Sequence, residues 1–163
     1  MNKLSPHRSE KIATVVSKRQ RGFALVLEDI HDPHNCAAIL RSADAFGVCD
    51  IRLIFSREKP YDPAIIGKSS SSSANKWMNF TCYTNTEECC ADLKKKHYHI
   101  FATALHNEGV SPYSYSFTEP SVAVIFGNEH RGVTDKAIRL SDTILTIPMN
   151  GMVESLNVSV SAA

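Results

Sequence analysis

The sequence closes on Ile147-Pro148-Met149-Asn150-Gly151-Met152-Val153-Glu154-Ser155-Leu156-Asn157-Val158-Ser159-Val160-Ser161-Ala162-Ala163, and the reading of this stretch decides the fold. It begins as the end of an apolar strand, Thr143 to Ile147. Pro148 has no amide to donate, so the strand ladder is expected to stop there. Gly151 allows a bend that a side chain would forbid. Glu154, Ser155 and Asn157 crowd polar groups together, and an Ala/Val/Ser-rich, helix-like run follows. A tight loop of this kind sets backbone amides and carbonyls around a small ligand. The plainer reading is an ordinary strand-loop-helix connection, and taken alone these residues favour it.

Working outward, the 163 residues suffice for one domain with a real core. Hydrophobic residues make up 43% and charged residues 21%, an ordinary globular composition that argues against disorder. No apolar run approaches the length of a membrane span, and the basic N-terminus lacks the apolar core of a signal peptide. The five cysteines, Cys36, Cys49, Cys82, Cys89 and Cys90, are odd in number and form no Cys-x-x-Cys pair. That pattern argues against a zinc site or a disulfide framework and for reduced thiols in the cytoplasm. Net charge is only +1, but Lys3, Arg8, Lys11, Lys18, Arg19 and Arg21 crowd the N-terminal segment against Glu10 alone. Such a patch can bind phosphate, and it can equally be a solvated helix face.

Ser5-Pro6 reads as a helix start, and Ile12, Val15, Val16 and Arg19 extend it at helical spacing to near Gly22. Strands are expected at Phe23 to Glu28, Asp50 to Phe55, Phe80 to Tyr83, Ile100 to Leu105, Val122 to Phe126 and Thr143 to Ile147. Helices are expected from Asn35, as cap, through Phe46, from Thr86 to Lys96, and from the cap Thr134 through Leu140. Arg57 to Asp62 is a loop, and Trp77 suggests that the serine run Ser69 to Ser73 folds back onto the protein. The alternation argues an α/β domain with a largely parallel sheet flanked by helices. These rules alone lead to a doubly wound fold. No Gly-x-Gly-x-x-Gly follows the first strand and no Walker-type lysine loop is present, which argues against common nucleotide binding.

Three constellations carry chemistry. In Asn35-x-x-Ala38-Ile39-Leu40-Arg41-Ser42-x-x-Ala45-Phe46-Gly47, Arg41 has small residues one turn away on either side and can offer a planar fork to phosphate. The plainer readings are a helix cap for Asn35 and a surface pair with Asp44 for Arg41. In Phe126-Gly127-Asn128-Glu129-x-x-Gly132-Val133, a glycine after a buried strand lets a ligand approach the backbone. Glu129 would then stand at the carboxyl edge of the sheet, where α/β proteins place ligands; its plainer reading is a charge preceding a helix near Thr134. The closing stretch supplies the other wall.

These three motifs, in this order, resemble those of the SpoU family within the SPOUT class of RNA 2'-O-methyltransferases. The resemblance covers nearly the whole chain and includes the basic N-terminal helix, the approach Glu28-Asp29-Ile30-His31-Asp32-Pro33-His34-Asn35, and Lys76-Trp77. That flanking pattern looks most like the branch that methylates a guanosine ribose in the D-loop of transfer RNA. Ser73 before Ala74 departs from the glycine that the family often has there.

The resemblance implies an α/β-knot fold with a deep C-terminal trefoil knot, and a homodimer. It implies two parts: a basic N-terminal extension over residues 1–22 and a methyltransferase domain over 23–163, ending short of the family's last helix. It implies S-adenosyl-L-methionine as donor, with Thr103, Gly127, Ile147, Met149 and Leu156 against it and no metal. Arg41, Asn35, Glu129, Ser155 and Asn157 are the implied catalytic set, and Lys11, Lys18, Arg19 and Arg21 would contact RNA. Arg41 is expected to position phosphate and hydroxyl rather than act as a base, because a guanidinium keeps its proton up to roughly pH 12.5. Ribosomal RNA as substrate, and a non-catalytic RNA-binding relative, are the alternatives.

Overall fold

The computed structural model describes residues 5–63, 65–66 and 74–163; Lys3, the serine run and the Lys76 side chain fall outside that description. Six strands carry the fold: β1 (Phe23–Glu28), β2 (Asp50–Ile54), β3 (Asn79–Tyr83), β4 (His99–Thr103), β5 (Val122–Phe126) and β6 (Thr143–Leu145). They form one sheet in the order β3-β2-β1-β5-β4-β6, parallel at every pairing. The helices are α1 (Pro6–Ser17), α2 (Pro33–Ala45), α3 (Thr86–Lys95), α4 (Asp135–Leu140) and α5 (Val158–Ser161), with a 3-10 turn at Ala74–Trp77.

The strands read as near-continuous apolar runs because both faces are covered. Side chains alternate between faces with the period of the pleat. Leu25, Leu27, Ile51, Leu53, Phe101, Val124 and Phe126 pack toward Cys36, Ile39, Leu40 and Ala43 of α2 and Val158 of α5. Ala24, Val26, Ile54, Ile100, Ala102, Ala123 and Ile125 pack toward Cys89, Cys90 and Leu93 of α3 and Ala137 of α4. Ile39 and Leu40 are wholly buried, and each contributes about 2 kcal/mol.

The order departs from the doubly wound pattern expected from sequence rules. There the fourth and fifth strands follow in sequence; here β5 lies between β1 and β4, and β6 lies beyond β4. β6 is shorter than the expected Thr143 to Ile147, and Pro148 is not what ends it. Thr146 already leaves the ladder: its amide donates to Val110 and its hydroxyl to the Ala104 carbonyl.

α1 stops at Ser17, not near Gly22, and none of its residues is buried. The Gln20 amide donates to the Gly47 carbonyl, so the chain has already turned toward α2. Arg19 is half-buried and donates to the Trp77 carbonyl. The segment around Trp77 does return to the protein, yet the indole itself is half exposed; Asn75 and Met78 are the buried residues there. α2 is capped by Asp32, whose side chain accepts from the His34 amide, and not by Asn35. That correction frees the Asn35 side chain for the site.

Candidate functional site

The carboxyl ends of β4, β5 and β6 open into a cavity of about 450 Å³. Thr103 closes β4 and donates its hydroxyl to the Ile125 carbonyl, fixing the two strand ends side by side. Gly127 follows β5, and Ile147 and Met149 follow β6. Leu156 comes from the loop before α5. All five residues assigned to the donor line this cavity, together with Glu129 and Ser155. The volume lies within the range of small-molecule sites, and the lining combines apolar side chains with a few polar groups.

Glu129 is fixed by uncharged donors. Its Oε1 accepts from Asn35 Nδ2 at 2.8 Å and from the Asp32 amide at 3.1 Å, and its Oε2 accepts from the His31 amide at 2.9 Å. Burial pushes the carboxyl up, but the bonds from Asn35 and the two amides outweigh it, so Glu129 sits below the usual range and is ionised. Asn35 continues the chain: its Oδ1 accepts from Asn157 Nδ2 at 3.1 Å. Asn157 in turn caps α5, its Oδ1 accepting from the Ser159 amide at 2.8 Å. One hydrogen-bonded line therefore joins all three sequence constellations.

Ser155 faces the cavity from an exposed loop. Arg41 is placed differently. It lies on the exposed face of α2 with Ala38 and Ala45, and it is not among the residues lining the cavity. Lys11, Lys18 and Arg21 are exposed along the N-terminal segment, while Arg19 ties that segment to Trp77. Glu129 is not the charge near Thr134; that role belongs to Glu28, which accepts from the Thr134 amide at 2.7 Å and from the Thr86 and Thr134 hydroxyls.

Two glycines do other work than expected. A Cβ on Gly127 would sit 2.2 Å from the backbone of Gly132 and Val133, so this glycine also lets the 127–133 loop close on itself. A valine there would break the loop, not merely fill the cavity. Gly151 has open space around its Cβ direction and no left-handed φ, so nothing in its surroundings demands glycine.

Sequence reasoning passed over Asp29 and Asn128. Asp29 is buried with φ 52°, and its carboxylate accepts from the amides of Ser56, Arg57 and Glu58 and the Ser56 hydroxyl. Burial raises its pKa, but these donors bring it below the ordinary value. Buried Asn128 donates to the Asp29 carbonyl at 2.8 Å and accepts from the amides of His130 and Arg131. The signal was a pair of carboxylates directly after an apolar strand, where only hydrogen-bonded acids survive burial. Burial pushes the Cys36 and Cys90 thiols up to about 11, which disfavours the thiolate.

The family model described as the SpoU rRNA Methylase family matches residues 22–163. The chain is similar to a tRNA (guanosine(18)-2'-O)-methyltransferase of Thermus thermophilus, at 35% identity over 100% of this chain and 81% of the relative. It is similar to the protein of that name from Escherichia coli, at 32% identity over 98% of this chain and 68% of the relative. Among solved structures it resembles the A. aeolicus TrmH/SpoU tRNA modifying enzyme, with TM-score 0.86 and 29% identity over 96% of this chain and 77% of that one.

Proposed function

This chain belongs to the SpoU rRNA Methylase family, and from that premise we propose that it methylates a ribose 2'-hydroxyl of transfer RNA, at a D-loop guanosine. The observation that carries the reading is the hydrogen-bonded line Glu129–Asn35–Asn157 beside the cavity at the ends of β4, β5 and β6. Relatives at 35% and 32% identity, named for the guanosine of transfer RNA, favour that substrate over ribosomal RNA.

The cavity fits S-adenosyl-L-methionine: apolar Ile147 and Leu156 offer walls for a flat base, and the loops at Gly127 and Met149 offer backbone polar groups. When bound there, this donor supplies an already activated methyl group on a sulfonium, so no metal is required. The chain's own residues then have two tasks. Asn35, Glu129 and Asn157 lock the three loops in one arrangement, which is a contribution from proximity and orientation. Arg41 presents a planar fork of N–H donors that grips an RNA phosphate and orients the adjoining ribose hydroxyl.

Arg41 lies outside the cavity lining of its own chain, which supports a homodimer in which it serves the partner's site. Exposed Met152, Val153, Leu156 and Val160 give the C-terminal loop and α5 an apolar surface suited to a second copy. The reading also takes in the family's deep trefoil knot, supported by the displaced order of β4, β5 and β6. It takes in residues 1–22 as an RNA-holding extension, supported by exposed Lys11, Lys18 and Arg21 and by an α1 that buries nothing. It takes in cytoplasmic residence, supported by free thiols at all five cysteines.

Methyl transfer from labelled donor to separated transfer and ribosomal RNA tests the proposal. Label should enter a guanosine ribose of transfer RNA, and Arg41→Ala should lower kcat about 100-fold with donor affinity retained. Label in ribosomal RNA alone would replace the substrate, and absence of label would favour an RNA-binding relative. Sedimentation of the wild-type protein tests the dimer.

A further inference from the structure

Next to Glu129, one carboxylate holds His31 and Arg131, the latter at the rim of the donor cavity. Glu58 Oε2 lies 3.0 Å from His31 Nδ1, and Glu58 Oε1 lies 2.7 Å from Arg131 Nη2. The cationic side chains are open to solvent, at 62% for His31 and 45% for Arg131, while Glu58 is 20% exposed. His130 adds a ring 6.3 Å from that of His31, and Arg57 and Lys59 flank Glu58 on an exposed loop. Two neighbouring carboxylates are committed: Asp29 to three amides and a hydroxyl, Glu129 to Asn35 and two amides.

The backbone of Glu58 is held apart from the cations, and among the described residues its carboxylate meets only them. Its own amide donates to Asp29 at 3.1 Å, in the same turn that binds Ser56 and Arg57. A fixed stretch of backbone thus carries an exchangeable carboxylate to a cationic site beside the cavity mouth. His31 and Arg131 come from the two loops that also carry Asn35 and Glu129, and the His31 amide binds Glu129 directly. An anion seated between them would therefore sit beside the reacting ribose.

We propose that His31 and Arg131 form a subsite for a backbone phosphate of the RNA substrate, and that Glu58 occupies this subsite until RNA displaces it. The inference rests on the RNA reading given above. Exposed ion pairs are weak, so the internal carboxylate is exchangeable. A phosphate offers a full charge with several acceptor oxygens to the arginine fork and the imidazolium. The hydrogen bond that the His31 ring gives to the Glu58 carboxylate raises the pKa of the ring, which favours the imidazolium. Glu58 then acts as a threshold: weakly held RNA does not enter, and RNA anchored elsewhere does.

The test compares binding of an unmodified transfer-RNA transcript and of polyuridylate, without donor, to the full chain. Glu58→Gln keeps the shape and removes the charge; it should tighten both RNAs about fivefold, the scale of one exposed pair. The gain should vanish in an Arg131→Gln background, and Arg131→Gln alone should weaken binding, which serves as the second reading if Glu58→Gln proves unstable by circular dichroism. Unchanged or weaker binding by a folded Glu58→Gln overturns the proposal, as does a gain that survives without Arg131 and His31. If the wild type fails to methylate the transcript while Glu58→Gln still tightens polyuridylate, the function falls and the subsite stands. If methylation proceeds and Glu58→Gln gains nothing, the subsite falls alone.

Discussion

The polar network under α3 and the one at the carboxyl edge are built on opposite plans. Under α3, Arg52 of β2 is only 2% exposed and meets opposite charge. It pairs with Asp92 and Asp50, bonds Tyr83 Oη at 2.9 Å, and lies 5.6 Å from the Tyr98 ring. Lys96, then Tyr83 and Arg52, hold the Asp92 carboxyl well below the usual range. At the carboxyl edge, Glu129 meets only neutral donors. The first network stays within the β2–β3–α3 region and β4's approach, residues 50–98. The second spans separations of 94 to 122 residues along the chain. A charge neutralised by nearby charges secures local packing. A charge held by amides from distant loops fixes where those loops stand, which is what a reaction site needs.

The sharpest way to break this distinction is Asp92→Ala. Among the described residues it leaves Asp50 as the one carboxylate paired with buried Arg52, and removing one member of a buried pair costs about 3 kcal/mol. Urea unfolding should show that loss, while donor affinity of the folded protein stays unchanged. Arg52→Met should cost less, because the aspartates it leaves behind reach water. If the two variants were equally destabilised, the ion pair would not be what matters there. Asn35→Ala should behave in the reverse sense. Losing a bond to a charged group costs about 1.5 kcal/mol of stability, but kcat should fall about 100-fold as the loops lose their common link. A stability loss with kcat preserved would make the Glu129 network structural too.

The sequence carried the first network poorly and the second in part. Arg52 sits within the apolar run Asp50 to Phe55, and nothing in that pattern says which face it takes or that Asp92 lies opposite. The strands and helices themselves were legible, because both-faces-buried strands and α-helical periodicity leave strong local marks. Strand order was not, since exchanging β4 and β5 leaves every local pattern unchanged. Asn35 shows the limit for the site. Its type and place ahead of a helix suit a cap, yet Asp32 takes that role three residues earlier and turns Asn35 toward Glu129 and Asn157. Gly127 carries a second demand that the sequence does not show, because Gly132 and Val133 press on its bare Cα and no spacing rule brings them into contact. The motifs mark the cavity walls; the bonds among them arise only from the tertiary fold.

The smallest effect separates the two networks by acid. Glu129 is held below its ordinary carboxyl value of 4.5, since Asn35 and the loop amides outweigh burial. A group whose folded-state pKa is depressed contributes stability above its unfolded value and loses it as pH falls through the folded value. The stability difference between wild type and Glu129→Gln should therefore be constant through neutral pH and shrink once pH drops below 4.5. Asp92 starts from 3.8 and is driven much further down, with Lys96 as the leading cause. The difference between wild type and Asp92→Asn should accordingly outlast the Glu129 difference as the solution is acidified. Unfolding curves for the three proteins at a series of pH values between about 7 and 3 check the order, since they bracket the ordinary carboxylate range. If the Asp92 difference closed first, neutral amides would be holding their carboxylate more firmly than lysine and arginine hold theirs, and the contrast between the two plans would fail at its electrostatic root.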